Sequence, residues 1–532
     1  MSQAVATVTG QQERPIGFLG LMRNRNYALL WWGQLVSELG NRFHWVAISL
    51  WVFSATHSVS AVSLAVSSMF VGGLFVSLGA GVLVDWFDRK KILIFADLAR
   101  AVLVAFIPSL MKIDIWFVYV DLALISVATA FFRPAMFAVI PTVVGRRDLL
   151  PANSFFTAMD TGTEIIGPAI AGIIAFAYGY APLLYFDSGT YAFSALCLLG
   201  TGIQSTLRPA SSKIQWNSVA ASVSEGLRYV RKDSLQWALF VLIFPAYLVG
   251  SGLNALQTPL AKGVIGITDA EFGTFSSVWG VGFVTASLFL GWFGVRVRKS
   301  HLILGGFFLG FASTAGMALS SSFNSLLAAA FAVGFANTLN YVGLTTVLME
   351  HTPQGIIGRV IATRQVALGA IRILSPLIFG AIGDAWGVRR AVLSMALAGA
   401  VGTAVVTILN PILRRFDYST GRSRDGIRRV LNSIVGKANP EFDRAQQGVL
   451  NSIIIVVVIG AWLGLAYRAP IYASGTLFAV LGLVTLGGLA MKWLHPASGE
   501  ESLERLFART RRWFVSLGGR TTEGGDSHAH SK

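Results

Sequence analysis

Charged side chains lie inside several of the long apolar stretches of this chain. Residues 28–55 carry Glu38 and Arg42 four positions apart, and residues 152–178 carry Asp160 and Glu164 at the same spacing. In a helix, side chains four residues apart lie on one face, one turn from each other. Ionisable groups inside an apolar span are costly and mark ion, proton or substrate sites by default. These four residues are therefore candidates for proton or substrate handling.

Each of the two pairs has its own interpretation. Glu38 and Arg42 either neutralise each other within one helix, or bind a substrate or a proton. Asp160 and Glu164 repel each other when both are ionised, so one of them is expected to hold a proton near neutral pH. A proton-coupled exchanger requires such a group.

Two arginines extend the candidate site. Arg372 matches Glu164 at an internal repeat offset of 208 residues. The opposite charges either balance across a cavity or stabilise their own halves separately. Arg133, which precedes Pro134 in a further apolar stretch, serves either a gate or an anionic substrate. The chain has no P-loop and no hydrolase motif, so we expect neither an enzyme nor an ATP-driven pump, and no cofactor or metal site.

Composition indicates an all-α integral membrane protein. Of the 532 residues, 54% are apolar and 13% charged, and the mean hydropathy is +0.63, which soluble cores cannot accommodate. The apolar stretches run about 20 residues, as helices need and barrel strands do not. The net charge of +16 comes mainly from alternate loops and tails, so membrane orientation and anionic lipid headgroups explain it better than nucleic acid does.

The apolar stretches predict two six-helix bundles followed by two extra transmembrane helices. The basic loops place both termini in the cytoplasm of a multi-pass protein of the cell (inner) membrane, and the first span acts as its own insertion signal because no signal peptide precedes it. The predicted spans are 28–55, 59–84, 92–111, 115–140, 152–178, 181–203, 236–260, 271–294, 301–320, 323–349, 359–383 and 390–412.

These spans define the predicted domain organisation of the chain. The segments are a cytoplasmic N-terminus with an interfacial helix (1–27), the N-terminal six-helix bundle (28–203), a cytoplasmic linker (204–235), the C-terminal six-helix bundle (236–412), a basic cytoplasmic loop (413–449), two additional transmembrane helices (450–494), and a cytoplasmic amphipathic helix with a disordered tail (495–532).

The two halves repeat one another. The helix-break motif Gly167-Pro168-x3-Gly172 recurs as Ser375-Pro376-x3-Gly380 at the constant offset of 208. An even number of spans per half gives parallel repeats, related by an axis along the membrane normal. A substrate cavity is expected between the two halves.

A short polar loop, GVLVDWFDRKK at residues 81–91, joins the second and third predicted spans. It resembles the corresponding loop of major facilitator transporters, in which glycine permits close helix approach while acidic and basic residues latch helix ends. Trp86 and Asp88 depart from the residues that many members carry. The resemblance assigns a gating network to Gly81, Asp85, Asp88, Arg89, Lys90, Asp97 and Arg100.

Further segments resemble the efflux group that contains macrolide and enterobactin exporters. They include Asn24-Arg25-Asn26-Tyr27, Phe132-Arg133-Pro134-Ala135 and Ile166-Gly167-Pro168, and the likeness covers residues 16 to about 412. Members of the group use the proton gradient to expel drugs, siderophores or lipid-like molecules. Many have an acid after the glycine of the first span, where this chain has Asn41 and Arg42.

The resemblance implies a secondary active transporter, a proton-coupled exporter of an amphipathic small molecule that works by alternating access. Its partners would be the small-molecule substrate, protons and membrane lipids, with no nucleic acid, and it would act as a monomer. Two alternatives remain open: a lipid or lysophospholipid flippase of the same fold, and a membrane sensor or scaffold that does not transport.

Overall fold

The protein is an all-α membrane protein, as predicted, in a computed structural model. The structure describes residues 18–77, 88–145, 148–203, 216–293, 297–353 and 356–415. Within these ranges all regular elements are helices, and nine of them are long and apolar enough to cross a membrane.

The first half of the described chain contains a short surface helix and six long helices. A left-handed His57 separates α2 from α3, and Asp114 caps α5 by accepting a hydrogen bond from the backbone N–H of Trp116. The helices are α1 (Phe18–Arg23), α2 (Arg25–Thr56), α3 (Val59–Ser77), α4 (Arg89–Leu110), α5 (Ile115–Val144), α6 (Leu149–Tyr178) and α7 (Ala181–Leu199).

The second half follows the linker helix α8 (Trp216–Lys232). Its first helix, α9 (Ser234–Thr258), continues as a π-helix over Pro259–Ile265, where Pro259 supplies no backbone N–H. The remaining helices are α10 (Asp269–Phe293), α11 (Lys299–Leu319), α12 (Phe323–His351), α13 (Ile357–Trp386), α14 (Val388–Leu409) and α15 (Ile412–Arg415).

Each of the twelve predicted spans overlaps one of the helices α2–α7 and α9–α14. That all twelve cross the membrane, and that two more follow, stay predictions. The chain divides into two units, residues 1–419 and 420–532, and the second unit lies outside the described residues with its predicted helices at 450–494. Gly81 and Asp85 of the gating loop also lie outside them.

Two helix pairs make most of the contacts between the halves, α6 with α10 and α3 with α13. At the first junction a Cβ added to Gly172 would lie 2.7 Å from the Cα of Gly273, so the two backbones touch directly. At the second, a Cβ on Gly380 would lie 2.6 Å from the Cβ of Ser63. Gly172 and Gly380 are the repeated glycines at offset 208, so both copies of the motif lie where the halves meet.

The bundle has two ends that differ in their contacts. We call the end where α4 begins and α5 ends the hairpin end, and the opposite end, where α2 ends and α3 begins, the far end. The linker helix α8 lies at the hairpin end, where its Glu225 pairs with Arg359 of α13.

Candidate functional site

A cavity of about 630 Å³ lies between the halves of the bundle. Its wall comes mainly from α2, α5 and α6 of the first half, with Asn254 and Gln257 of α9 and Ser276 and Trp279 of α10 facing them. It extends from the middle of α6 almost to the hairpin end, where Ile140 and Asn153 line it close to the ends of their helices. The cavity therefore approaches the hairpin end.

An ion pair between α2 and α6 lies in the cavity wall. Arg42 Nη2 is 2.7 Å from Asp160 Oδ1, and the two side chains are 26% and 58% exposed. Gly167 makes this approach possible, because a Cβ there would lie 2.6 Å from the Cβ of Arg42. Among the described residues the carboxylate that pairs with Arg42 is Asp160 of another helix, so the structure does not show the pairing with Glu38 that the four-residue spacing allows.

The other two candidate acids share this wall. Glu38 accepts a hydrogen bond of 3.3 Å from Asn41 Nδ2, and Glu164 lines the cavity one turn beyond Asp160. Glu164 interacts electrostatically with Arg42, Asp160 and Glu38. The structure thus gathers the four predicted ionisable residues around one point, with three carboxylates to one guanidinium.

Two further arginines line the cavity. Arg133 is exposed on α5 near the hairpin end. Arg100 forms a fully buried ion pair with Asp97, and its guanidinium lies 4.2 Å from the ring centre of Phe132 and 4.3 Å from that of Tyr191. The Asp97–Arg100 pair therefore borders the cavity, and its predicted gating role stays a prediction.

Arg372 lies beside the cavity rather than in its wall. Its guanidinium carbon is 5.3 Å from the ring centre of Tyr247 and 6.0 Å from that of Phe70, which itself lines the cavity. These distances are typical of cation–π contacts. The ring of Phe70 links Arg372 to the opposite half of the bundle.

The charged residues at the end of the gating loop contact helices of the first half. Asp88 caps α4 by accepting hydrogen bonds from the backbone N–H groups of Lys90 and Lys91, at 2.9 and 3.4 Å. Lys90 Nζ donates to the carbonyls of Leu199 and Thr201, at 3.2 and 2.6 Å, where the negative end of the α7 dipole lies. Arg89 donates to the carbonyl of Ala138 in α5 at 3.4 Å.

The far end is closed by a carboxylate that the sequence reasoning missed. Asp384, in the last turn of α13, accepts hydrogen bonds from the backbone N–H groups of Val59 and Ser60 at 2.7 and 2.9 Å and from the Ser58 hydroxyl at 2.9 Å. The hydroxyl of Ser58 in turn accepts from the N–H of Ala61 at 3.2 Å. The first turn of α3 is thus completed by a residue of the other half, because its N–H groups have no partner within the helix.

A second polar contact joins the halves at the far end. The hydroxyl of Tyr180, between α6 and α7, donates to Asp269 Oδ2 at 3.2 Å, and Lys262 Nζ lies 2.5 Å from Asp269 Oδ1. The repeat comparison could not reveal Asp384, because the residue at the equivalent position is Phe176. The available signal was an acid in the final turn of an otherwise apolar helix.

Comparison with known proteins gives one family and several relatives. Residues 17–430 match the model of the family described as transmembrane secretion effector. Macrolide efflux protein A of Streptococcus pyogenes is 26% identical over 290 residues, which are 53% of this chain and 69% of that protein. The multidrug efflux pump Tap of Mycolicibacterium fortuitum is 26% identical over 412 residues, or 74% of this chain and 97% of the pump.

Solved structures show the same fold at low sequence identity. The nucleoside transporter NupG superposes with a TM-score of 0.60 at 12% identity, over 74% of this chain and 100% of its own. A bacterial homologue of the human lysosomal transporter Spinster, in an inward-facing and unoccupied conformation, gives 0.60 at 12% identity, over 74% of this chain and 99% of its own.

Proposed function

The chain belongs to the transmembrane secretion effector family and is an efflux transporter of the major facilitator type, and from this premise we propose that it exports an amphipathic small molecule in exchange for protons. The cargo would carry a cationic group, because carboxylates outnumber the guanidinium in this part of the cavity, and a macrolide, which a relative's name gives as its cargo, is one candidate. The cavity suits such a cargo, because aromatic side chains lie beside its charged residues.

The observation that carries the proposal is the grouping of three carboxylates around Arg42. Arg42 neutralises Asp160, which leaves Glu38 and Glu164 beside it in the same cavity. A proton or the cationic group of a cargo can neutralise these acids, but both cannot occupy one carboxylate. Competition for the same acids is what couples the two in exchange, because each ligand displaces the other.

The difference between the two ends of the bundle supports alternating access. The cavity extends toward the hairpin end, which the basic loops assign to the cytoplasm, while Asp384 and the glycine contacts hold the far end closed. Cargo would enter from the cytoplasm as the acids release a proton. After the halves rock about their junctions, a proton from outside would displace the cargo through the opened far end.

The test is transport into inverted membrane vesicles with an imposed pH gradient, acid inside. Wild-type protein is expected to concentrate a labelled macrolide or a fluorescent cation, and collapse of the gradient should release it. The double variant Asp160→Asn, Glu164→Gln keeps the shape of both side chains and is expected to abolish accumulation, because it removes the carboxylate of Glu164 and leaves Arg42 to neutralise Glu38 in place of Asp160.

The matched control is Glu350→Gln, which removes an exposed carboxylate that pairs with Lys299 at 2.5 Å near the hairpin end, away from the cavity. It should accumulate substrate like the wild type. Accumulation that survives in the double variant would remove the α6 acids from coupling, and wild-type protein that ignores the gradient would refute proton exchange.

A further inference from the structure

A second group of ionisable side chains is buried between the cavity and the far end. His44 of α2, Asp121 of α5 and Asp187 of α7 are 8%, 5% and 0% exposed, and none of them lines the cavity. Asp121 and Asp187 each lie six residues after the start of their helix at the far end, or about 9 Å along the axis at ~1.5 Å per residue. We call these three residues the inner cluster.

The geometry of the inner cluster leaves polar atoms unsatisfied. His44 Nδ1 is 3.0 Å from Asp187 Oδ2, which is ion-pair distance, yet neither atom makes an aligned hydrogen bond. Asp121 interacts electrostatically with His44, and its Oδ2 is likewise buried without a hydrogen-bond partner. Gly40 admits Asp187 to this position, because a Cβ there would lie 2.5 Å from Asp187 Oδ1.

The charges around the inner cluster do not balance without protons. The neighbouring Arg100 is matched by Asp97. The two carboxylates of the cluster then face one imidazole, so even a doubly protonated His44 leaves one negative charge. Burial of an uncompensated charge is strongly unfavourable, and a neutral cluster requires a further proton on Asp121 or Asp187.

Tyr191, which interacts electrostatically with Asp187 of the inner cluster, begins a chain of hydrogen bonds that leads to the cavity. Tyr191, one turn after Asp187 on α7, donates from its hydroxyl to Asn41 Oδ1. Asn41 in turn donates to the cavity acid Glu38 at 3.3 Å. The charge state of the cluster can therefore influence Glu38 through two intervening side chains.

We propose that His44, Asp121 and Asp187 form a proton-binding site separate from the cargo cavity, and that this site takes up the exchanged proton from the far end. Its role in exchange rests on the proposed function above, whereas proton binding itself rests on burial and charge. Within the described residues no group of three His, Cys, Asp or Glu side chains is arranged to hold a metal ion. Loading adds one proton to a carboxylate, and unloading returns that proton to water.

The direct test is infrared difference spectroscopy of the full-length protein in liposomes, between acidic and alkaline pH. The background is the Asp160→Asn, Glu164→Gln variant, so that the cavity acids of α6 do not contribute. We expect a carbonyl band from a protonated carboxylic acid that disappears as the pH is raised. Asp121→Asn or Asp187→Asn should remove or shift this band.

The matched control is Asp114→Asn, which changes an exposed aspartate on the same helix as Asp121 and keeps an amide able to cap α5. It should leave the band unchanged. A band that is absent, or that persists unaltered in both cluster variants, would overturn the proposal. This result is read without transport, so it does not depend on whether the variants are active.

Transport distinguishes the role of the site from the proposed function. In otherwise wild-type protein, Asp121→Asn is expected to lose accumulation driven by the pH gradient while it still equilibrates cargo down its own concentration gradient. Full gradient-driven accumulation in this variant would refute the role in exchange but leave proton-coupled export intact. A cluster band in a protein whose wild type ignores the gradient would support the site and refute the proposed function.

Discussion

Replacement of Asp384 by alanine is expected to open the far end of the bundle. The carboxylate accepts three hydrogen bonds from Ser58, Val59 and Ser60 across the junction of the halves. None of the other contacts described above between the halves satisfies the first backbone N–H groups of α3. An anion at a helix N-terminus also interacts favourably with the helix dipole. When the halves separate, water must replace these bonds.

The size of the effect follows from helix capping. Loss of a capping side chain costs about 0.5–2 kcal/mol, and the exposed position of Asp384 lets solvent screen part of the interaction. A loss of about 0.5–2 kcal/mol lowers the ratio of closed to open molecules roughly 2–30-fold. Asparagine retains one capping oxygen without the charge, so Asp384→Asn should fall between wild type and Asp384→Ala.

Distances between spin labels would measure this change. The single cysteine, Cys197, is replaced by alanine, and labels are placed at the exposed far-end positions Ile113 and Ser321, one in each half. Double electron–electron resonance should show a longer-distance population that grows in Asp384→Ala. In the same variant, the cavity should become more accessible to solvent from the far end.

The control removes another capping aspartate at the same end. Asp114 caps α5 within the first half, accepting from the N–H of Trp116 at 2.9 Å. Asp114→Ala therefore removes a comparable capping interaction but leaves the junction between the halves untouched. The distance distribution of this variant should match that of the wild type. Equal distributions in Asp384→Ala and wild type, or equal shifts in both aspartate variants, would refute the inference that Asp384 holds the halves together.

Two further predictions concern contacts of α6 with neighbouring helices. Arg42→Ala and Asp160→Ala should each abolish export. In a double-mutant cycle on thermal unfolding, the two side chains should couple by only about 0.2–1 kcal/mol, because Asp160 is 58% exposed. A coupling above ~3 kcal/mol would contradict this exposure. Gly172→Val should prevent closure of the far end, because its Cβ would lie 2.6 Å from the carbonyl oxygen of Asp269 and backbone cannot yield. Gly162→Val on the same helix meets no atom within 4 Å and should leave the label distances unchanged; unaltered distances in Gly172→Val would contradict the steric argument.

Much of the fold could be predicted from the sequence because a bilayer imposes helices of defined length. The helix between Ile115 and Val144, for example, begins at the first residue of the predicted span 115–140. The repeat of Gly172 at Gly380 likewise marked the two places where the halves approach closely. These features depend on local composition and spacing.

The partners of the charged residues could not be predicted in the same way. A spacing of four residues indicates which groups share a helix face, but Arg42 turns to Asp160 on another helix, where Gly167 gives it room. Asp384 acts on a helix more than 300 positions away in the chain. Asp187 lies beside His44 of another helix, and only tertiary packing reveals that contact.

The uneven origin of the cavity wall has a consequence for how cargo preference can evolve. Most side chains that line the cavity belong to α2, α5 or α6, and the second half contributes four residues from α9 and α10. Two equivalent halves would line the cavity equally, whereas here the first half supplies most of the wall. Under the proposed export function, substitutions that change cargo preference should therefore arise mainly before residue 200.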